Sequence, residues 1–67
     1  RAIDINPFQN PVIYPTGVIA PEGAVYRPQN NGAFNARHPV VQEFLRRGWH
    51  WGGNFEQPKD YHHFEKT

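Results

Sequence analysis

Cysteine is absent from this 67-residue sequence, and neither sign of charge dominates it. Without thiols, no disulfide can stabilise the fold and no thiolate can bind a metal. The net charge is +1 and the longest basic run is Arg46-Arg47, so the electrostatic footprint of a nucleic-acid-binding protein is missing. No stretch approaches the roughly 20 apolar residues that cross a bilayer. The composition therefore predicts neither a nucleic-acid partner nor a membrane span.

Apolar residues are also scarce, at 37% of the sequence, and the mean hydropathy is -0.81. A chain this short buries little surface and is marginal as an independent domain. It opens on Arg1-Ala2-Ile3-Asp4-Ile5, which is typical of the middle of a strand, and shows neither an initiator Met nor a signal peptide. We expect residues 1–67 to be part of one longer domain, whose truncated sheet leaves an edge strand able to pair with a second copy.

Seven prolines and six glycines interrupt the chain. A strand is predicted over residues 2–5, and Asn6-Pro7 ends it because proline cannot donate to a ladder. Residues 7–35 are predicted to form a long Pro/Gly-rich loop with short extended pieces over residues 12–14 and 24–26. A loop of this length inside a compact domain is unusual and is commonly functional.

One helix is predicted over residues 39–47. Pro39 suits its first position, and Gly48 suits the left-handed position that follows a helix. The apolar face of this helix is expected to consist of Val40, Val41, Phe44 and Leu45. Further strands are predicted over residues 49–51 and 61–65. The predicted fold class is α+β: a small antiparallel sheet with one clear helix and a long Pro/Gly-rich loop.

Polar chemistry is densest in the tail, Asp60-Tyr61-His62-His63-Phe64-Glu65. Imidazole nitrogens bind zinc, and a nearby carboxylate can take a proton from a water molecule. Two adjacent histidines near a terminus are also commonly ordinary surface residues. Because adjacent strand residues point to opposite faces, only one of the two is expected to bind an ion, and composition does not choose between them.

Asp4 is the second candidate, since it lies in an apolar strand directly before Asn6-Pro7. A buried carboxylate at that place must be paired, hydrogen-bonded or bound to a metal. The alternative is that Asp4 caps the turn that Asn6-Pro7 begins.

Aromatic side chains are the third feature, and packing around a small sheet is the simplest role for at least half of them. They are Trp49, Trp51, Phe55, Tyr61 and Phe64. Gly52-Gly53 follows Trp51 and either makes a turn or lets the backbone approach a ligand closely.

Three stretches carry a combined pattern. Residues 1–7, Arg-Ala-Ile-Asp-Ile-Asn-Pro, resemble the end of the motif His-x-x-Gly-x-Ala-x-Asp followed by Ile-Asn-Pro. Residues 48–55, Gly-Trp-His-Trp-Gly-Gly-Asn-Phe, are similar to Gly-Trp-x-Trp-Gly-Gly-x-aromatic, and residues 59–65 contain Asp-x-x-His-Phe. In this order the three stretches resemble the D-alanyl-D-alanine carboxypeptidase family of zinc peptidases, the VanY-like group.

The resemblance implies that residues 1–67 are the C-terminal part of a single metallopeptidase catalytic domain with the Hedgehog/D,D-peptidase fold. It implies zinc as the cofactor, with Asp4 and His63 as metal ligands. Asp60 would be the general base, and Trp51 would wall the substrate site. The implied activity is hydrolysis of peptidoglycan stem peptides, as a D,D- or L,D-carboxypeptidase or an L-alanyl-D-glutamate endopeptidase. The implied location is the cell envelope or the extracellular space, in a bacterial enzyme or a phage lysin.

One part of the family pattern is missing. The first motif begins with a His seven residues before its Asp, and that position falls before Arg1. Because a catalytic zinc site needs three protein ligands, residues 1–67 supply one too few. His62 and His50 do not match the family motif as substitutes. We therefore expect an active parent protein and an inactive isolated fragment. The alternative is a degenerate or non-catalytic module that keeps the fold and binds cell wall or peptide.

Overall fold

The computed structural model describes all of residues 1–67. In chain order its elements are β1 (Ala2–Asp4), β2 (Val12–Ile13), β3 (Ile19–Ala20), α1 (Pro39–Arg46), β4 (His50–Trp51), a 3-10 turn (Gly52–Asn54), β5 (Lys59–Asp60) and β6 (His63–Glu65). The strands form two three-stranded antiparallel sheets, in the orders β1-β6-β4 and β3-β2-β5. The α+β class is confirmed, with two small sheets where one was expected. The single helix has eight residues, too few to cross a bilayer.

Helix α1 begins at Pro39 as predicted and ends one residue early. His38 caps it, because its Nδ1 accepts a hydrogen bond from the backbone N–H of Val40 at 3.1 Å. Gly48 has a φ of 87°, which places it in the left-handed region expected after a helix. The predicted apolar face is wrong at Val40, which is 37% exposed while Val41 is fully buried. Successive helical residues are about 100° apart, so Val40 turns away from the core in the first turn.

The core lies between α1 and the inner face of the β1-β6-β4 sheet. Trp51 and Phe64 are direct cross-strand partners and are 3% and 0% exposed. They join Val41 and Phe34 in one cluster, and the Phe44 ring stacks on Phe64 with centroids 4.4 Å apart. Only 10 of the 67 residues are buried, so these few side chains, each worth about 1.5–3 kcal/mol on burial, dominate the stability.

Two strands of the second sheet, β2 and β3, lie within the predicted Pro/Gly-rich loop, and its third strand, β5, comes from residues 59–60. The extended piece over residues 12–14 is confirmed in β2, which covers Val12–Ile13, whereas residues 24–26 belong to no strand. The chain instead reverses after Tyr14, whose N–H donates to the carbonyl of Val18 at 2.9 Å, and β3 pairs back onto β2. Gly17, with a φ of 90°, makes this reversal possible.

The predicted strand over residues 61–65 is wrong at its start. Tyr61 and His62 form a turn between β5, which pairs with β2, and β6, which pairs with β1 and β4. The indole N–H of Trp51 donates to the carbonyl of Tyr61 at 2.9 Å and supports this turn. The chain therefore crosses from one sheet to the other here, and His62 does not follow the alternation of β6.

Asn10 fixes the irregular segment and is fully buried. Its side-chain amide donates to the carbonyls of Asn6 at 3.1 Å and Gly32 at 2.9 Å, and its Oδ1 accepts from the N–H of Phe34. A buried amide is stable only when its groups are bonded in this way. These bonds hold two distant parts of the loop against the core.

Candidate active site

The outer face of the β1-β6-β4 sheet carries several titratable side chains. Phe64 points into the core, so its strand neighbours His63 and Glu65 point to the opposite face. Asp4 lies directly opposite His63, and Ala2 lies opposite Glu65. Only one face of this sheet packs on the core, so the alternation of side chains along its strands places these titratable groups together on the open face.

The register of β1 and β6 brings Asp4 and His63 together. Arg1 and Lys66 exchange two N–H···O bonds of 2.8 Å, so alternation along the ladder makes Asp4 and His63 a non-hydrogen-bonded pair. Side chains approach most closely in such pairs. Asp4 Oδ1 is 3.1 Å from His63 Nδ1, close to the roughly 3.3 Å that separates two ligands of a tetrahedral zinc with bonds of about 2.0–2.1 Å.

The other ring nitrogen of His63 faces Glu65. The distance from Nε2 to Glu65 Oε1 is 2.8 Å, so the ring is held between two carboxylates. Burial lowers the pKa of His63, but the hydrogen bonds with Glu65 and Asp4 outweigh burial and the pKa is raised.

Asp60 reaches the site from the second sheet. A Cβ on Gly52 would collide with the backbone carbonyl of Asp60, so the glycine allows close contact between the 3-10 turn and β5. Asp60 Oδ1 is buried and has no hydrogen-bond partner. Burial raises the pKa of Asp60; the charges of His62 and His63 oppose this rise and that of Asp4 adds to it. A buried carboxyl group with a raised pKa is typical of a catalytic acid or base.

His62 also lies in this cluster, contrary to the expectation that it faces away from His63. A carbonyl can only accept, so His62 Nδ1 donates to the carbonyl of Asn10 at 2.7 Å. His62 Nε2 then lies 3.2 Å from Asp60 Oδ1 and 3.9 Å from Asp4 Oδ1. His62 Nε2 and the two carboxylate oxygens therefore converge on one small region of the site.

A comparison with protein families identifies the chain. The family model described as D-alanyl-D-alanine carboxypeptidase matches residues 1–66. The chain belongs to this family. The resemblance drawn from the three motifs is confirmed, and the parent protein is a peptidase whose substrates are peptides. No significant match was found among curated proteins or among solved structures.

Peptidases of this family are generally metal-dependent, and the donor atoms of this peptidase fit part of a metal site. Asp4 Oδ1 and His63 Nδ1 stand side by side on the open face, with the unpartnered oxygen of Asp60 nearby. Within these 67 residues no group of three or more His, Cys, Asp or Glu side chains is arranged to hold a metal ion. The residues present therefore fit two ligands, and they do not form a complete site.

The peptidase site is an open surface and not a cavity. The cavity that the structure does contain, of about 480 Å³, lies between residues 28 and 39 and includes none of the candidate residues. Trp51 is 3% exposed, so it offers little surface to a substrate. Phe55 is the aromatic residue beside His63, with ring centroids 6.2 Å apart. The substrate-binding role of Trp51 stays a prediction.

Two residues of the peptidase site received no role from the sequence, Glu65 and His62. The signal for Glu65 was present, since a residue two positions after His63 in a strand shares its face. His62 was set aside because a continuous strand would have turned it away. The turn at Tyr61 and His62 contains no Gly, Pro or Asn, so no local signal marked it.

Proposed function

We propose that the full-length protein hydrolyses peptidoglycan stem peptides with zinc as its cofactor, in the cell envelope or outside the cell. The observation that carries this proposal is the 3.1 Å approach of Asp4 Oδ1 and His63 Nδ1, together with Asp60, whose Oδ1 is buried and unpartnered. The family description favours removal of a terminal D-alanine. An L,D-carboxypeptidase or an L-alanyl-D-glutamate endopeptidase uses the same chemistry on a neighbouring bond.

Asp4 and His63 would hold the zinc, and the family motif has its third ligand, a His, at the position seven residues before Asp4. A bound zinc ion supplies Lewis-acid polarisation of a peptide carbonyl and lowers the pKa of water. With two ligands alone, we propose that the isolated 67 residues bind metal weakly and are inactive.

Asp60 is the proposed general base. It accepts a proton from the attacking water as the water oxygen bonds to the carbonyl carbon, and it returns that proton to the amine nitrogen as the C–N bond breaks. A pKa raised by burial brings Asp60 closer to the pH at which it works, which favours both transfers. The open sheet face lets an extended peptide lie across β1 and β6. Trp51 would serve the substrate site indirectly, by fixing the Tyr61 carbonyl.

Two variants of the full-length protein test these roles. Asp60→Asn should retain zinc but lose most turnover, because an amide cannot accept the proton. His63→Ala should lose both. The assay is release of D-alanine from a synthetic stem peptide, with zinc content measured on the same samples. Glu43→Gln is the matched control, since it makes the same carboxylate-to-amide change on the exposed face of α1.

Wild-type turnover in Asp60→Asn would rule out the assigned base, and an active, zinc-replete His63→Ala would rule out the assigned ligand. Insensitivity of the wild-type activity to a chelator would rule out the zinc-dependent reaction.

A non-catalytic binding module is the second candidate. The cavity between residues 28 and 39 supports it, because its lining includes the polar side chains of Asn30, Asn31 and Arg37. Amide and guanidinium groups suit a peptide or a sugar. The residue seven positions before Asp4 in the parent gene separates the two functions. A His there favours the peptidase, and any other residue favours the binding module.

A further inference from the structure

Glu65 has no role as a ligand or a base in the proposed peptidase, although it contacts His63 directly. We infer that Glu65 is a positioning residue, which holds the His63 ring so that Nδ1 is the atom presented to the metal. This inference rests on the proposed function and adds the residue that sets the orientation of one ligand.

The hydrogen-bond geometry fixes the direction of the ring. Glu65 Oε1 lies 2.8 Å from His63 Nε2, and a carboxylate oxygen accepts, so Nε2 carries the hydrogen. Nδ1 is then the nitrogen that faces Asp4, at 3.1 Å. If the ring were flipped, ring carbons would face Asp4 and Glu65 in place of the two nitrogens, and both contacts would be lost.

The contact between Glu65 and His63 forms within one strand and involves no residue of the buried core. His63 and Glu65 are two residues apart in β6, so their side chains stand on one face. Glu65 faces Ala2 across β1, and the small Ala side chain does not compete with the histidine for the carboxylate. The side chain of Glu65 is 44% exposed and that of His63 is 22% exposed, so removing the carboxylate leaves the buried cluster intact.

A carboxylate in this position matters for a metal ligand. A ligating imidazole commonly donates its second N–H to a carboxylate or carbonyl, which fixes the tautomer and makes the ring a better donor. Removing such a partner typically weakens metal affinity by about 10–100-fold. We expect a loss in that range for Glu65→Ala, and a smaller loss for Glu65→Gln, whose amide oxygen still accepts the Nε2 hydrogen.

The experiment uses the full-length protein labelled with ¹⁵N. Long-range ¹H–¹⁵N spectra of the histidine rings show which nitrogen of His63 carries hydrogen and which one responds to zinc. The zinc dissociation constant is measured by competition with a chelating dye. Wild type, Glu65→Ala, Glu65→Gln and the control Glu43→Gln are compared, with thermal unfolding of each to show that the fold is unchanged.

The expected result has four parts. In the wild type, zinc shifts the Nδ1 signal of His63 and Nε2 keeps its hydrogen. In Glu65→Ala the dissociation constant rises about 10–100-fold and the Nδ1 preference weakens. Glu65→Gln keeps the Nδ1 preference, and Glu43→Gln matches the wild type in its zinc dissociation constant and in the hydrogen position on His63.

Zinc binding by Glu65→Ala within about twofold of the wild type, with Nδ1 still the ligand, would overturn the role of Glu65 while the proposed peptidase stands. A metal-free wild type in which His63 Nε2 carries no hydrogen would overturn it as well. A wild type in which zinc leaves His63 unaffected would instead remove the proposed function, and the inference with it.

Discussion

Replacing Asp60 with Asn is expected to stabilise the metal-free protein at neutral pH. Asp60 Oδ1 is buried without a hydrogen bond and lies 3.2 Å from His62 Nε2. The Asn amide is uncharged, and its N–H can donate to that nitrogen. The substitution therefore removes a poorly solvated charge and adds a bond at the same place.

The size of the effect follows from the cost of an unsatisfied buried group, about 1–3 kcal/mol. The Asp60 side chain is still 22% exposed, so we expect the low end of that range. A gain of about 1 kcal/mol raises the unfolding midpoint of a domain this small by about 4–8 °C.

The gain should depend on pH in a defined direction. The pKa of Asp60 in the folded state is raised above the unfolded value of about 3.9. Below about pH 3.9 the folded and the unfolded states both hold the Asp60 proton, and the carboxyl group destabilises the folded state least. The folded state holds the Asp60 proton more tightly than the unfolded state does. As the pH rises through the folded pKa this proton is lost, and the free energy of unfolding falls. Asp60→Asn should therefore match the wild type near pH 3 and be more stable than it once the pH exceeds the folded pKa of Asp60.

Thermal unfolding of the full-length protein, followed by circular dichroism with chelator present, measures this difference. Glu43→Gln should show the opposite sign, since hydrogen bonds from Arg46 and Arg47 lower the pKa of Glu43 to about 2. The stability that Glu43 provides is present above its unfolded pKa and is lost as the pH falls toward 2. An Asp60→Asn protein that is less stable than the wild type at pH 7, or whose difference is constant with pH, refutes the reasoning.

Three further changes test the packing that supports the site, each by urea unfolding. Asn10→Ala should cost about 3 kcal/mol because it orphans buried backbone groups that the amide satisfies; a cost below about 1 would contradict this. Phe64→Ala should cost about 3–5 kcal/mol, from a side chain that is 0% exposed, and Phe64→Leu clearly less. Gly48→Ala should cost about 1 kcal/mol because its φ is 87°, and a neutral result would show that the chain relaxes there.

The sequence predicted those parts of the fold that have local signals. Pro39 and Gly48 bound the helix correctly because each suits one special backbone position. Strand β1 also followed from its alternation and from Asn6-Pro7, which was predicted to end it. The strand pair β2-β3 was predicted only in its first half, because two-residue strands leave almost no periodic pattern to detect.

The site was predicted less completely, since its geometry depends on contacts between residues far apart in the chain. Asp4 and His63 were identified through the family motifs, but their direct pairing depends on the register of β1 and β6. The place of His62 depends on the turn that splits the predicted last strand. Two of the three bonds of Asn10 join segments more than 20 residues apart, for which no local pattern exists.

The central claim is that Asp4 and His63 are ligands of one catalytic metal ion. Cobalt(II) titration of the full-length protein tests it most directly, because the visible bands of cobalt report the coordination geometry. One tetrahedral cobalt per chain is predicted for the wild type, Asp60→Asn and His62→Ala, with the bands lost in Asp4→Ala and His63→Ala. Bands that survive in His63→Ala and disappear in His62→Ala would contradict the account.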